Sequence, residues 1–179
     1  MRAFIALDVP EQVRQRAEIL ERDFAIDGVT LVKKEAMHIT LQFLGDIDAG
    51  QGEMVVEAMK GIRFRQFGVS LSGLSYFTPR MIRVIFVEAK KGGKELADLY
   101  GVLGKELKAK GIRFEEEKYT PHFTIARVKW AKDMRKLREA IEKNRGAELG
   151  AFDAKSVVLK ESTLTPQGPV YRTLYEHKL

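Results

Sequence analysis

The sequence predicts a protein of mixed α+β or α/β class, built from two closely joined halves. Strand and helix patterns alternate in both halves, and no Pro/Gly/Ser-rich linker divides them. One short phrase, His-x-Thr-apolar, occurs twice, at residues 38–41 and 122–125. Because 179 residues suit one domain, we expect residues 1–179 to form a single two-lobed domain.

The first half begins with a strand at residues 2–8, where apolar residues alternate. Asp8 is the candidate N-cap of a following helix, with Pro10 in its first turn and Glu11 three residues after the cap. Apolar residues at helical spacing extend this helix to about residue 25. The remaining predicted elements of this half are strands at 29–33 and 37–44, a helix at about 50–60, and a strand near 64–72.

The second half begins with the strongest strand pattern in the chain, at residues 80–89. An amphipathic helix at 93–109 follows, because its leucines recur on one helical face. The remaining predicted elements are a strand at 121–129, a basic helix at about 132–144, and strands at 152–164 and 169–177 joined by the turn Thr-Pro-Gln-Gly-Pro.

Composition excludes several classes of protein. The chain has no cysteine, which rules out a disulfide framework, thiolate catalysis and cysteine-based metal sites. It has no apolar run of about 18 residues, so we predict no membrane-spanning segment and no membrane partner. The first twelve residues have the pattern of a strand rather than of a signal peptide. We therefore expect a cytoplasmic protein, and we expect a monomer.

The charge balance favours anionic partners. Thirty-one basic residues against 25 acidic ones give a net charge of +6 and a pI near 9.5. Such a field suits phosphates, nucleotides or RNA, although a well-solvated surface has the same composition. Charged residues make up 31% of the chain and Asn144 is its single asparagine, a composition that indicates a thermophilic source.

The repeated phrase places one imidazole and one hydroxyl on the same side of a strand. Residues i and i+2 share a strand face, so His38 projects with Thr40 and His122 projects with Thr124. One such tripeptide is most often an ordinary half-buried strand. Two copies, containing two of the chain's three histidines, point instead to a duplicated functional unit.

Two such units facing each other suit displacement at phosphorus. Imidazole has an ordinary pKa of about 6.5, so one copy can accept a proton while the other donates one. Two threonine hydroxyls can donate hydrogen bonds to anionic phosphate oxygens. If the leaving oxygen is protonated as it departs, the reaction requires no metal.

Metal and nucleotide-loop alternatives have weaker support. There is no His-Glu-x-x-His pattern, and the third histidine, His177, lies in a charged C-terminal segment. Residues 46–50 faintly resemble a calcium loop, but a turn followed by a helix cap explains them better. No phosphate-binding Gly-x-x-x-x-Gly-Lys-Ser/Thr loop occurs. We therefore predict no metal and no cofactor.

Four segments together resemble the two-histidine phosphoesterases, and within them the RNA 2′,3′-cyclic phosphodiesterase family, also called LigT-like or 2′-5′ RNA ligase. They are RAFIALDVP at 2–10, HITLQFLG at 38–45, HFTIAR at 122–127 and LKESTLTPQGPVYRTL at 159–174. The resemblance covers essentially the whole chain. It implies a two-lobed α+β fold with pseudo-twofold symmetry, in which each lobe is an antiparallel sheet with helices outside and the two phrases face a central cleft.

The resemblance also implies an activity and residue roles. The family's reaction opens a ribonucleoside 2′,3′-cyclic phosphate at an RNA end and leaves a 2′-phosphate; tRNA fragments are among the conceivable substrates. By this resemblance His122 is the proton acceptor that activates water and His38 is the proton donor, although near-symmetry makes the two exchangeable. Thr40 and Thr124 would hold the phosphate. Reversible 2′-5′ RNA ligation, action on small cyclic nucleotides and non-catalytic RNA binding are the alternatives.

Neighbouring residues have two interpretations each. Arg127 matches an arginine of the family pattern and could bind substrate, although it has the opposite strand parity to His122 if the strand is regular. Phe43 also has opposite parity to His38, which predicts core packing. Tyr171 could line the cleft or pack beside it. A further set of basic residues could form an RNA-phosphate surface or a solvated face: Arg83, Lys129, Lys132, Arg135, Lys136 and Arg138.

Overall fold

A computed structural model describes residues 1–77, 81–116 and 118–179. Within these ranges the chain forms nine strands, four α-helices and two single-turn 3₁₀ helices. The elements are, in order, β1 Arg2–Asp8, α1 Glu11–Glu21, β2 Val29–Leu31, β3 His38–Asp46, α2 Ala49–Gly61, β4 Phe67–Phe77, β5 Val84–Lys91, α3 Gly93–Ala109, β6 His122–Val128, α4 Met134–Lys143, β7 Glu148–Ala154, β8 Ser156–Thr165 and β9 Gly168–Lys178.

The strands form two sheets in which neighbouring strands pair antiparallel. The first sheet has the strand order β3-β1-β8-β9, and the second has the order β2-β6-β5-β4-β7. Helices alternate with these strands along the chain, and α1 packs against β6 and β7 while α3 packs against β5. The predicted α+β fold with antiparallel sheets and outer helices is therefore confirmed.

The two halves of the chain are related by equivalent strands. β1 lies between β3 and β8, and β5 lies between β6 and β4. Thus β1, β3 and β4 of the first half correspond to β5, β6 and β8 of the second half. β4 and β8, the third of the equivalent strands in each half, are each inserted into the other half's sheet. We call β4 and β8 the exchanged strands; they give the fold its pseudo-twofold relation.

The core explains the position of the two phrases. Ile39 and Leu41 of β3, and Phe123 and Ile125 of β6, are almost fully buried in one hydrophobic cluster that includes residues of both sheets. The residues that alternate with them therefore face away from this core. No helix in the described part of the chain is long and apolar enough to cross a membrane.

Several predicted boundaries are confirmed. The helix predicted at 93–109 has those limits, and α2 begins after Asp48, which accepts a hydrogen bond from the backbone N–H of Gln51 in a capping box. This cap explains the acidic turn that faintly resembled a calcium loop. Residue 80, the first of the predicted strand 80–89, lies outside the described residues; the observed β5 begins at Val84.

Other predictions were wrong. Asp8 is the last residue of β1, and Pro10 occupies the N-cap of α1 without a side-chain cap. Asp8 forms an ion pair with Lys160 instead, with 2.9 Å between Oδ1 and Nζ. The predicted strand 152–164 is two strands, because the chain leaves the second sheet at Lys155 and enters the first sheet as β8.

Candidate active site

β3 contains a β-bulge at the last residue of its histidine phrase. On the neighbouring strand, Ala6 pairs with Thr40 and Ile5 pairs with Gln42, so Leu41 is an extra residue. As a result, Leu41 and Gln42 are consecutive buried residues, where a regular strand would expose one of them.

β6 contains the same bulge at the same distance from its histidine. Phe86 of β5 pairs with Thr124 and Ile85 pairs with Ala126, so Ile125 is the extra residue. Ile125 and Ala126 are again consecutive buried residues. The two halves therefore repeat a backbone irregularity as well as a sequence phrase.

The bulges reverse the predicted direction of the fifth residue after each histidine. An extra residue shifts side-chain alternation by one, so Phe43 projects with His38 and Arg127 projects with His122. Phe43 is 52% exposed, and the prediction that it packs in the core was wrong. Arg127 is also exposed, and the opposite parity expected for a regular strand does not apply to it.

His38 lies half-buried between aromatic rings of the first sheet. Its ring stacks on Phe4 at a centroid distance of 4.8 Å and meets the edge of Tyr171 at 5.3 Å. Its Nε2 is 3.0 Å from Thr40 Oγ1, so imidazole and hydroxyl share a hydrogen bond. The structure thus places Tyr171 beside His38, and Phe4 beneath it.

Burial lowers the pKa of His38 from its ordinary value of 6.5 to about 4. A hydrogen bond with the backbone of Ala36 and the charge of Asp8 act in the opposite direction, while Lys160 and Arg127 lower the pKa further. In the absence of a bound anion, His38 is therefore neutral at neutral pH.

His122 occupies an equivalent setting in the second sheet. Its Nδ1 donates a hydrogen bond to the backbone carbonyl of Thr120 at 2.7 Å, which leaves Nε2 as the proton-accepting nitrogen. Phe77 and Phe86 contact its ring in edge-on geometry, with centroid distances of 4.9 and 5.4 Å. Burial, followed by the charge of Arg127, lowers the pKa of His122, although the Thr120 hydrogen bond raises it.

Arg127 acts electrostatically on both halves of the site. Its charge adds to the burial that lowers the pKa of His38 and His122, and it opposes the burial that raises the pKa of Tyr171. Among the residues that the structure describes, no hydrogen bond or ion pair engages its guanidinium. A cation that is near both imidazoles and is not committed to a carboxylate can bind an anionic group placed between them.

A cavity of about 390 Å³ lies between the two histidine strands. Thr40 and Phe43 of β3 line one side, and His122 and Phe77 line the other. Tyr119 forms another wall, and its hydroxyl donates to the Thr40 backbone carbonyl at 3.1 Å. Thr124 shares the face of His122 on β6. The cavity is large enough for a nucleotide-sized group and borders one polar residue of each phrase, Thr40 and His122. Among the described residues that line it, His38, Thr124, Arg127 and Tyr171 are not included.

Sequence reasoning missed three residues of this environment. Lys160, whose side chain is only 14% exposed, holds Asp8 beside His38, and Tyr119 holds the backbone of Thr40. Phe4 supports the His38 ring. The segments that contain Phe4 and Lys160 contributed to the family resemblance, but only the pairing of β1 with β3 and β8 shows that they meet.

The basic residues considered for RNA binding have mixed surroundings. Arg83 donates from Nη1 to the backbone carbonyl of Lys129 at 2.8 Å. Lys132 lies 3.7 Å from Asp27, and Arg135 lies 3.5 Å from Glu139, both as exposed pairs. In the described ranges, no group of three or more His, Asp or Glu side chains is arranged to hold a metal ion.

Comparison with known proteins places the chain in a family. The sequence profile described as LigT-like phosphoesterase matches residues 5–86 and 87–171, one match for each histidine phrase. The chain belongs to the LigT-like phosphoesterase family. The two matched segments divide it near β5, in agreement with the structural relation between the halves.

Similar proteins extend over the full chain. A Methanocaldococcus jannaschii protein named RNA 2′,3′-cyclic phosphodiesterase is 34% identical, over 98% of this chain and 99% of its own. A Thermotoga maritima protein of the same name is 38% identical, over 98% and 94%. The thermophilic source that the composition indicates agrees with the source organisms of some of these relatives.

Solved structures share the fold. The protein TT0787 of Thermus thermophilus superimposes with a TM-score of 0.82 at 25% identity, over 100% of this chain and 98% of its own. E. coli LigT complexed with 3′-AMP superimposes with a TM-score of 0.82 at 20% identity, over 99% and 97%.

Proposed function

We propose that this protein hydrolyses RNA 2′,3′-cyclic phosphate ends to 2′-phosphate, without a metal. The observation that carries the proposal is the pair of matched bulges, which turn Arg127 to the face of His122 beside a cavity that borders Thr40 and His122. The names of the M. jannaschii and T. maritima relatives support the same substrate. The phosphate would bind near Arg127, whose guanidinium has no hydrogen-bond or ion-pair partner among the described residues.

In the proposed mechanism, water attacks phosphorus and the bond from phosphorus to the 3′ oxygen breaks. His122 Nε2 accepts the water proton, because its Nδ1–H is held by Thr120. His38 donates a proton to the departing 3′ oxygen. Thr40, Thr124 and Arg127 hold the non-bridging oxygens, and Tyr171 borders the substrate beside His38.

The protonation states that the mechanism assigns to the two histidines depend on the negative charge of the bound substrate. Both histidines have lowered pKa values in the free protein, so neither holds a proton firmly at pH 7. An anionic phosphate beside them favours the imidazolium form and raises both pKa values. Substrate binding would thereby allow His38 to take from the solvent the proton that it later donates to the departing oxygen.

The test is an RNA ending in 2′,3′-cyclic phosphate, incubated with the protein in EDTA and followed by analysis of the terminal phosphate. We expect a 2′-phosphate product, and losses of at least about 10³-fold in kcat for His38→Ala and His122→Ala. His177→Ala is the matched control, because His177 donates to the backbone of Ile62 outside the site. Full activity in both site variants would contradict the mechanism.

Adding an RNA with a 5′-hydroxyl to the same assay tests the reverse direction, since a 2′-5′ linked product would reveal ligation by the same groups. A wild-type protein that binds RNA yet forms neither product would instead favour the non-catalytic alternative.

We also propose that the protein is a one-domain monomer that acts in the cytoplasm. Size-exclusion chromatography with light scattering measures its oligomeric state.

A further inference from the structure

The end of β6 leads from the active site to an exposed aromatic residue. Arg127 lies on the face of β6 that also carries His122, β6 ends at Val128, and the chain then bends at the exposed Lys129. Trp130 follows immediately and is 60% exposed. Three residues of chain span at most roughly 10 Å, so Trp130 lies within one or two nucleotides of Arg127.

The backbone around Trp130 is firmly held. The N–H of Val128 donates to Arg83 at 2.8 Å, and the N–H of Lys129 donates to Gly28 at 3.1 Å. Gly28 has a φ of +88°, and a Cβ there would lie 1.7 Å from the Trp130 carbonyl oxygen and 2.7 Å from the indole. The indole therefore packs across a residue that must be glycine, which fixes its position while most of its surface stays in water.

The charges around Trp130 are positive. Lys129 and Arg83 join through the hydrogen bond from Arg83 Nη1 to the Lys129 carbonyl. The nearby acids have partners, since Asp27 lies beside Lys132 and Asp133 accepts from the Lys136 N–H as the cap of α4. An exposed, immobilised aromatic ring beside cations is how proteins bind single-stranded nucleic acid, by stacking bases and neutralising phosphates.

We propose that Lys129 and Trp130, which with Arg127 form the basic strip, bind the single-stranded RNA segment on the 5′ side of the terminal cyclic phosphate, with one base stacked on Trp130. This inference rests on the proposed function for the direction of the strand. It makes the preferred substrate an oligonucleotide rather than a mononucleotide, and it makes recognition tolerant of sequence, because every base has a face that can stack.

Trp130 is the only tryptophan in the chain, so its fluorescence reports the contact directly. The probes are an eight-nucleotide RNA with a 3′-phosphate, which cannot be hydrolysed by the proposed reaction, and the corresponding nucleoside 3′-monophosphate. We expect saturable quenching by the octanucleotide and little change with the mononucleotide. Fluorescence anisotropy of labelled octanucleotide shows binding independently. Binding without quenching, or no binding of the octanucleotide, would overturn the proposal.

Kinetics separate a binding role from a structural one. Trp130→Ala should lower kcat/KM for a cyclic-phosphate octanucleotide about tenfold more than for a nucleoside 2′,3′-cyclic phosphate, chiefly through KM. Trp130→Tyr should recover most of the difference, because it restores a stacking ring. Equal losses on both substrates would assign Trp130 a role in folding and overturn the proposal.

A charge-matched pair of variants tests Lys129. Lys129→Ala should weaken octanucleotide binding severalfold and reduce the slope of log affinity against log salt by about one. Lys155→Ala removes the same charge at the end of β7, the opposite edge strand of the sheet, and should leave both quantities nearly unchanged. Identical effects of the two substitutions would mean that only net charge matters. If the wild-type protein hydrolyses neither substrate, the proposed function fails, and the fluorescence titration still decides on the basic strip.

Discussion

β3 and β6 share a phrase, a bulge and a buried core face, yet the fifth residue after the histidine differs. On β3 it is Phe43, a neutral ring 6.2 Å from Phe4; on β6 it is Arg127, an uncommitted cation. The shared backbone delivers either side chain to the same side of its strand. The difference shows how a duplicated scaffold can supply one anion-binding arginine to two otherwise similar units.

The surroundings of the histidines differ in a second way. His38 lies near an ion pair, Asp8 with Lys160, in addition to Arg127, whereas Arg127 is the charge that acts on His122. Each imidazole has a hydrogen bond with the backbone two residues earlier, at Ala36 or at Thr120, and His38 Nε2 also lies 3.0 Å from Thr40 Oγ1. Related sequences therefore place the two imidazoles in unequal electrostatic fields, which favours separate roles.

Among changes that keep both histidines, the largest effect should come from removing the charge of Arg127, compared with removing the ring of Phe43. Arg127→Met should lower kcat/KM about 100-fold, because it removes the cation that faces both histidines. Phe43→Met should cost less than about fivefold, since that ring is largely exposed and carries no charge. Steady-state kinetics on one cyclic-phosphate RNA measures both.

Arg135→Met is the control for net charge, because Arg135 lies on α4 in an exposed pair with Glu139. Equal losses for Phe43→Met and Arg127→Met would mean that the two strands contribute alike, and the comparison would fail. Arg127→Lys should retain part of the activity, because it keeps the charge and loses the planar fork.

A smaller effect should appear in the pH dependence. Catalysis by one acid and one base requires that one histidine of the pair be protonated and the other neutral. This singly protonated state is most populated at pH values between the two pKa values. The pKa of His38 is about 4 and that of His122 is below 6.5, so kcat/KM should peak on the acid side of pH 6.5. Above the higher pKa value it should fall about tenfold per pH unit.

The corresponding profile of kcat should lie at higher pH, because bound phosphate raises both pKa values. Titration of the imidazole signals by NMR assigns the values, with His177 as an internal reference outside the site. A kcat/KM optimum at pH 7 or above in the free enzyme would contradict the burial argument for the pair.

The smallest effect should come from Tyr119, which anchors β3 through the Thr40 carbonyl. Tyr119→Phe removes that hydrogen bond and should lower the free energy of unfolding by about 1 kcal/mol. It should also reduce kcat severalfold with the pH profile unchanged, as expected of a residue that positions Thr40 without touching the reacting atoms. Denaturant titration and kinetics measure the two changes.

Tyr175→Phe on β9 is the matched control, since it removes a hydroxyl outside the cavity. If both substitutions act alike on kcat, the Tyr119 contact contributes only to stability, and β3 needs no anchor of this kind.

The sequence alone was sufficient to predict the helices and strands whose local residue patterns are strong. The helix Gly93–Ala109 repeats leucines on one face, and the two phrases expose their histidine and threonine beside buried Ile39 and Phe123, as alternation predicts. The fold class followed from the same patterns together with the family resemblance. In these segments local preference and tertiary packing agree.

Prediction failed where a partner strand determines the geometry. The side of the strand occupied by Phe43 and Arg127 depends on bulges that are visible only in the pairing of β3 with β1 and of β6 with β5. Asp8 has the residue type of a helix cap, but Lys160 engages it across the sheet. The sequence around Lys155 does not reveal that the chain passes from one sheet to the other there. A polar residue between two apolar runs fits a single continuous strand equally well.

The exchanged strands have a consequence for folding in the cell. Arg2 pairs with Ser162, so β1 lacks one of its two neighbouring strands until residues 156–165 have left the ribosome. Until then, Phe4 and Ala6 lack Val158, and β1 has an open edge that invites association with other chains. Such distant pairing also slows folding. Nascent chains of this protein should therefore depend on chaperones that shield β1, and premature termination before residue 156 should produce an aggregating fragment rather than a half-active enzyme.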